Sequence, residues 1–201
     1  MATTTITNPT GLNLPEAYAL ALSNYLTPEQ LSKYSSDANK PPLFVYGSLM
    51  LPSLLSRIIN SPLSPSELAL QMTPAILHGY SRHAVRGADF PAVIADPAFP
   101  STSTTTTSTV PFQVIGFLVF GLTASQRKGI DRFESGLYDL TTVKVKIDLA
   151  GDEGSSRREG VVVDAEVYVW AGDRDDLAKA EEKCWSFEAF LGSGMGRVWE
   201  E

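Results

Sequence analysis

The chain has 201 residues, is 43% hydrophobic and 19% charged, and carries a formal net charge of −7. That length suffices for one good core, burying roughly 70% of the unfolded surface, and the acidic balance, with Arg82/Arg86 and Arg157/Arg158 as its small basic clusters, excludes a phosphate-tracking nucleic-acid protein. The single cysteine, Cys184, excludes an internal disulfide framework or a cysteine-based zinc site, and a Thr-rich start without basic or apolar regions, with no membrane-length apolar run, predicts a soluble, cytoplasmic protein with no membrane partner.

Residues 1–13 are Thr-rich and predicted to be disordered. Leu14, Tyr18, Ala21, Leu22 and Tyr25 then recur at helical spacing and predict an amphipathic helix. Thr27-Pro28-Glu29-Gln30 has the form of a capping box, opening a second short helix that carries Leu31 and Tyr34 inward. Pro41-Pro42 closes this helical extension, residues 14–40, ahead of a single domain over 41–201. The apolar run 43–46 breaks at Gly47-Ser48, as a buried strand does on entering a tight turn, and 52–59 reads as a helix with proline in its first turn. Residues 60–75, rich in Ser and Pro, predict an irregular connection with at most a short helix.

Residues 75–77 and 81–85 read as one strand bent at Gly79, and 90–94 as another. The Ser/Thr-rich loop 97–110 cannot pack a core and is predicted to be exposed. Residues 112–120 are apolar on both faces, the mark of a central strand. Thr123 is the expected cap of a helix over 124–133. Beyond it, Thr141, Val143, Val145, Ile147 and Leu149 alternate with Thr142, Lys144, Lys146 and Asp148, a strand with one wet face. A polar hairpin loop, 151–160, leads into a returning strand over 160–170. Asp173 is expected to cap a final helix with Leu177, Ala180, Cys184, Phe187 and Leu191 as one apolar stripe. Short strands with few helices predict an α+β fold: a small mixed β-barrel flanked by helices.

Strand, glycine turn and helix start aim the backbone N–H groups of Tyr46, Gly47, Ser48 and Leu49 at one spot, a seat for an anion that needs no charged side chain. The plainer role of such a turn is to change chain direction. It is no phosphate loop, and with two histidines in the chain a Ser-His-Asp triad on Ser48 is not supported. Far downstream, Glu134 ends a helix beside Phe133, at a helix-to-strand corner that can face the same barrel mouth. Partial burial there would raise its pKa and make it a competent acid/base; the alternative is a solvated helix end.

Asp131, one turn earlier, either adds like-charge repulsion or makes a surface contact. Tyr138 offers a hydroxyl near Glu134 or fills the core. Arg82 and Arg86 share a strand face and either meet a substrate carboxylate or face solvent. His78 and His83 point to opposite faces and predict no shared metal. Cys184 reads as inert packing, and Gly192-Ser193-Gly194-Met195-Gly196, which follows a helix rather than a strand, as a frayed tail.

Together these residues resemble the gamma-glutamylcyclotransferase-like family, especially its avirulence-induced branch. Phe44-Val45-Tyr46-Gly47-Ser48-Leu49 is similar to that family's Tyr-Gly-Ser/Thr-Leu signature. Pro74-Ala75-Ile76-Leu77-His78-Gly79-Tyr80, Phe90-Pro91-Ala92-Val93-Ile94 and Val114-Ile115-Gly116-Phe117-Leu118 match further landmarks. Ile130-Asp131-Arg132-Phe133-Glu134 matches the motif of the catalytic glutamate, and Ala165-Glu166-Val167-Tyr168-Val169-Trp170 the closing strand. The resemblance implies a small β-barrel flanked by helices, and cyclisation of a γ-glutamyl amine or peptide to 5-oxoproline with release of the amine. It implies Glu134 as general acid/base, the 46–49 amides as the seat of the substrate carboxylate, and no metal or cofactor. Ser135 stands where the family has glycine and Leu140 where it has arginine, while Tyr138 is retained. Two other readings stay open at this point: the same pocket and glutamate serving a different cyclisation, isomerisation or elimination on another small molecule, and a non-catalytic binding protein.

Overall fold

The structure is a computed structural model and describes residues 14–36, 41–96, 112–134, 136–150, 160–178 and 185–193. In chain order the elements are α1 (Glu16–Ser23), α2 (Pro28–Ser36), β1 (Leu43–Val45), α3 (Pro52–Ile58), α4 (Pro65–Ala69), β2 (Met72–His78), β3 (Tyr80–Ala84), β4 (Pro91–Ala95), β5 (Gln113–Val119), α5 (Ala124–Glu134), β6 (Tyr138–Asp148), β7 (Gly160–Trp170) and α6 (Phe187–Gly192), with 3-10 turns at Ser48–Met50 and Arg174–Asp176. Five strands close into a barrel in the order β1-β5-β2-β6-β7, while β3 and β4 form a separate two-stranded hairpin. β1 and β7 pair in parallel and close the barrel; its other pairs are antiparallel.

Side chains alternate between the faces of a strand, and here both faces of β1 are buried. Phe44 and Tyr46 join Leu77, Leu118, Val145 and Val167 in one apolar cluster inside the barrel. Leu43, Val45, Phe117 and Val119 look the other way, into a second cluster with Tyr18, Leu54, Leu55, Ile130, Phe187 and Leu191 from the surrounding helices. Gly116 makes the inner packing possible. A Cβ there would lie 2.2 Å from the Val45 carbonyl oxygen and 2.8 Å from the Phe44 ring.

Several local signals give the predicted structure. Thr27 N donates to Gln30 Oε1 at 2.8 Å and Gln30 N to Thr27 Oγ1 at 3.2 Å, the reciprocal pair of a capping box. Thr123 and Gln126 repeat it at the start of α5. On β6, Val143, Val145 and Ile147 are buried while Lys144 and Lys146 are exposed. Leu31 and Tyr34 pack inward, Tyr34 stacking on Phe120 at 4.8 Å.

Other expectations are corrected. Residues 72–75 are strand, not connection: Pro74 faces Phe117 of β5, and pairing with β6 begins only at Ala75, so its missing N–H breaks no second ladder. Gly79 does not bend one strand; with φ at 80° it passes the chain from the barrel to the hairpin, leaving His78 and His83 in different sheets. Residues 112–120 are not buried on both faces throughout, because Phe112 and Ile115 are 45% and 56% exposed. Leu22 is exposed and Tyr25 falls past the end of α1, whose buried residues are Tyr18 and Ala21. The final helix is not continuous. Asp173 caps only the 3-10 turn, Leu177 turns extended and bridges Val85, and Ser186 caps a separate α6. The expectations for 1–13, 97–110, Ser135, Ala180, Cys184 and 194–196 lie outside the described residues, as does most of the 151–160 loop.

Candidate active site

At one mouth of the barrel a cleft of about 200 Å³ is lined by both distant motifs: Tyr46, Gly47, Ser48 and Leu49 from the turn after β1, Glu134 and Tyr138 from the α5–β6 corner. β1 drives its chain to this rim because its apolar residues are claimed by the two cores. Beyond Val45 the 3-10 turn closes with Met50 N donating to the Gly47 carbonyl and Leu51 N to the Ser48 carbonyl, both at 3.0 Å. The amides ahead of that first bond have no partner within the turn, by helix geometry. Tyr46 anchors the turn from inside: its hydroxyl donates to the Tyr168 carbonyl at 2.8 Å. A Cβ on Gly47 would meet Pro91 at 2.9 Å, so glycine lets the β3–β4 hairpin lie against the turn.

Glu134 is the last residue of α5 and is half-buried. Loss of water around its carboxyl raises the pKa from the usual 4.5 to about 7. The Tyr138 hydroxyl donates to the Pro91 carbonyl at 3.0 Å, tying the corner to the hairpin. Burial, and then the nearby charge of Glu134, pushes the Tyr138 hydroxyl up, so it stays a neutral donor. Asp131 does not act by repulsion on Glu134: its carboxylate accepts a hydrogen bond from the Tyr168 hydroxyl, and burial is the cause of the Glu134 shift.

The two arginines are elsewhere. Arg82 does not line the cleft; its Nη1 donates to the Tyr46 carbonyl at 2.7 Å and its guanidinium lies 5.2 Å from the Trp185 ring. The arginine expected to meet substrate therefore holds the turn from behind. Arg86 is exposed past the end of β3, its Nη1 donating to the Asp175 carbonyl at 3.0 Å. The two part company because β3 ends at Ala84, so the strand periodicity that put them on one face stops between them. Leu140 also lies away from the cleft, in a second hollow with Arg127 and Glu166.

Seven aromatic or apolar lining residues escaped the sequence reading as site residues: Phe44, Val45, Phe90, Pro91, Phe133, Leu137 and Tyr168. Tyr168 had a signal, since it falls on the opposite face of β7 from Val167 and Val169. Phe90 had none, because only the hairpin's docking brings it to the mouth. Among the described residues no group of three His, Cys, Asp or Glu side chains is placed to hold a metal ion, and no helix is long and apolar enough to cross a membrane.

The chain is similar to known proteins. The family model described as gamma-glutamyl cyclotransferase, AIG2-like, matches residues 43–187. Among curated relatives from Arabidopsis thaliana, Protein AIG2 C is 25% identical over 77% of this chain and 74% of its own length. Protein AIG2 B from the same plant is 30% identical over 73% and 68%. Among solved structures, a solution structure from Arabidopsis thaliana has a TM-score of 0.48 at 22% identity, covering 80% of this chain and 78% of its own. A yeast gamma-glutamyl cyclotransferase specific to glutathione has a TM-score of 0.40 at 18% identity, covering 70% and 74%. With both signature motifs inside the matched stretch, the chain belongs to the gamma-glutamyl cyclotransferase, AIG2-like family.

Proposed function

We propose that this protein converts a γ-glutamyl amine or peptide into 5-oxoproline and the free amine, with Glu134 as the general acid/base. The observation that carries this is a single carboxylate, titrating near neutrality through burial, in one cleft with the amides of the glycine turn. Membership of the family supports the class of reaction.

The substrate's α-carboxylate sits on the amides of Gly47, Ser48 and Leu49, which fixes the glutamyl group and folds it back on itself. Its α-amino nitrogen then lies against its own γ-carbonyl carbon. Ring closure forms one C–N bond within the substrate and breaks the γ-amide C–N bond, so no covalent enzyme intermediate is needed. Glu134, ionised, takes the proton released by the attacking nitrogen and returns it to the departing nitrogen. The carboxylate ends the cycle as it began. Tyr46 and Tyr138, held by their bonds to the Tyr168 and Pro91 carbonyls, keep the walls of the cleft in register.

The test is incubation of the purified protein with γ-glutamyl amides and detection of 5-oxoproline. Glu134→Gln keeps the shape of the side chain and loses the proton shuttle, so turnover falls by about two to four orders of magnitude while substrate still binds. Unchanged turnover in that variant would remove Glu134 from the reaction. If binding persists and no reaction on any γ-glutamyl compound is found, the protein is a binding module instead.

A further inference from the structure

We propose, resting on that reading of Glu134, that Asp131 and Tyr168 are positioning residues. Their hydrogen bond, made in a second hollow outside the cleft, fixes the last turn of α5 and with it the place of Glu134. This hollow, of about 300 Å³, is lined by Arg127, Asp131, Leu140 and Glu166 among others, and shares one residue with the cleft, Tyr168. Arg127 and Asp131 stand four apart and so share a face of α5, while Glu166 and Tyr168, two apart, share a face of β7. Two side-chain rungs therefore cross from helix to strand. Arg127 donates to Glu166 and to the Pro41 carbonyl, and the Tyr168 hydroxyl donates to Asp131.

The rungs restrain different parts of the helix. Glu134 is the last residue of α5, three beyond Asp131. Burial is the cause of its raised pKa, and no hydrogen bond to its carboxyl contributes. Its place is thus set by the course of the last turn rather than by a partner of its own. The Arg127 rung grips α5 about two turns before Glu134, whereas the Asp131 rung grips the final turn itself. A hydroxyl donating to an ionised carboxylate makes one of the stronger hydrogen bonds. Its strand end is also tied to the cleft, because the Tyr168 carbonyl accepts from the Tyr46 hydroxyl. The titratable groups that face Glu134 from other elements are the hydroxyls of Tyr46, Tyr138 and Tyr168, each kept protonated first by burial. Water, admitted or excluded by the position of the turn, therefore governs the ionisation of Glu134.

The experiment follows the Glu134 carboxyl by carbon-13 NMR across pH, its signal identified by its loss in Glu134→Gln, beside kcat and KM for a γ-glutamyl amide. Tyr168→Phe keeps the ring and the backbone carbonyl and removes the hydroxyl. With the last turn loosened, water reaches Glu134, so its midpoint is expected to fall from about 7 toward 4.5. Turnover is expected to drop by about tenfold in kcat, with KM held within about twofold. Asp131 is exposed, so Asp131→Ala disturbs no core and is expected to act alike. Asp131→Asn keeps an oxygen that accepts the hydroxyl, and is expected to hold the midpoint near 7 and kcat within about threefold of the wild type. The sign separates position from charge. Were repulsion by Asp131 the link, Tyr168→Phe would free that charge and push the midpoint up, and Asp131→Asn would match Asp131→Ala. Either result overturns the proposal. The titration needs no turnover, so a wild type that yields no 5-oxoproline overturns the proposed reaction, whereas an unmoved midpoint in Tyr168→Phe overturns the positioning.

Discussion

A glutamate at a helix end is ordinarily a solvated charge, and what distinguishes Glu134 is the water it has lost. Because its folded pKa is about 7 and its usual value 4.5, the folded state holds the proton between those limits and the unfolded chain does not. Two pH effects follow, with opposite benefit. As a base Glu134 works only when ionised, so kcat/KM is expected to climb with pH along a limb of midpoint about 7, measurable with any turned-over amide. A flat profile from pH 5 to 8 would contradict the assignment. For stability, the raised pKa means that the contribution is fully present below pH 4.5 and is lost as pH rises through about 7. Removing the charge with Glu134→Gln is therefore expected to stabilise the fold at pH 8 by roughly 1–3 kcal/mol, allowing for partial contact with water, and to change little at pH 4. Denaturant titrations at the two pH values decide it. The same residue would then limit stability and supply turnover, a familiar trade at active sites.

Among the elements, the β3–β4 hairpin has the clearest job outside the barrel. It lies against the glycine turn through Pro91, receives the Tyr138 hydroxyl on the Pro91 carbonyl, and sends Arg82 to the Tyr46 carbonyl. Each contact ends on a lining residue, so the hairpin positions the cleft without supplying its chemistry. Arg82→Met keeps much of the side-chain volume and loses the hydrogen bond that restrains the turn. Looser amides hold the substrate carboxylate less well, so KM is expected to rise by about tenfold while the midpoint of the pH limb stays near its original value. A shifted midpoint with KM unmoved would mean that Arg82 acts on Glu134 electrostatically instead.

At the scale of the molecule, the barrel and its helices form two cores that share the strands as a wall. α1 belongs to that construction: Tyr18 is buried, meeting Phe117 of β5 edge-on at 5.6 Å and Phe187 of α6 at 4.6 Å. One side chain thus joins an N-terminal helix, the barrel wall and the last described helix. Tyr18→Ala is expected to cost about 3 kcal/mol, as large aromatic truncations in cores do, in a single cooperative transition seen alike by far-ultraviolet dichroism and tryptophan fluorescence. An early, separate loss of helix signal would show that α1 is only an appendage.

Signals carried by neighbours in the chain were legible in the residues alone. The capping boxes at Thr27 and Thr123, the alternation of β6, and the glycine turn after β1 all rest on bonds or periodicities spanning a few positions. The turn could be nominated because it follows apolar residues that must be buried, and Glu134 because it stands at a helix-to-strand corner beside Phe133. Contacts across the fold decided the rest. Whether Arg82 meets substrate or braces a carbonyl depends on where the hairpin docks. Whether residues 173–191 form one helix depends on Leu177 finding Val85, a competition that long-range packing wins over helical periodicity. The apolar rim was beyond sequence reasoning for the same reason: Phe90 and Leu137 belong to separate segments, and only the docking of the β3–β4 hairpin beside the barrel brings those segments around a single opening.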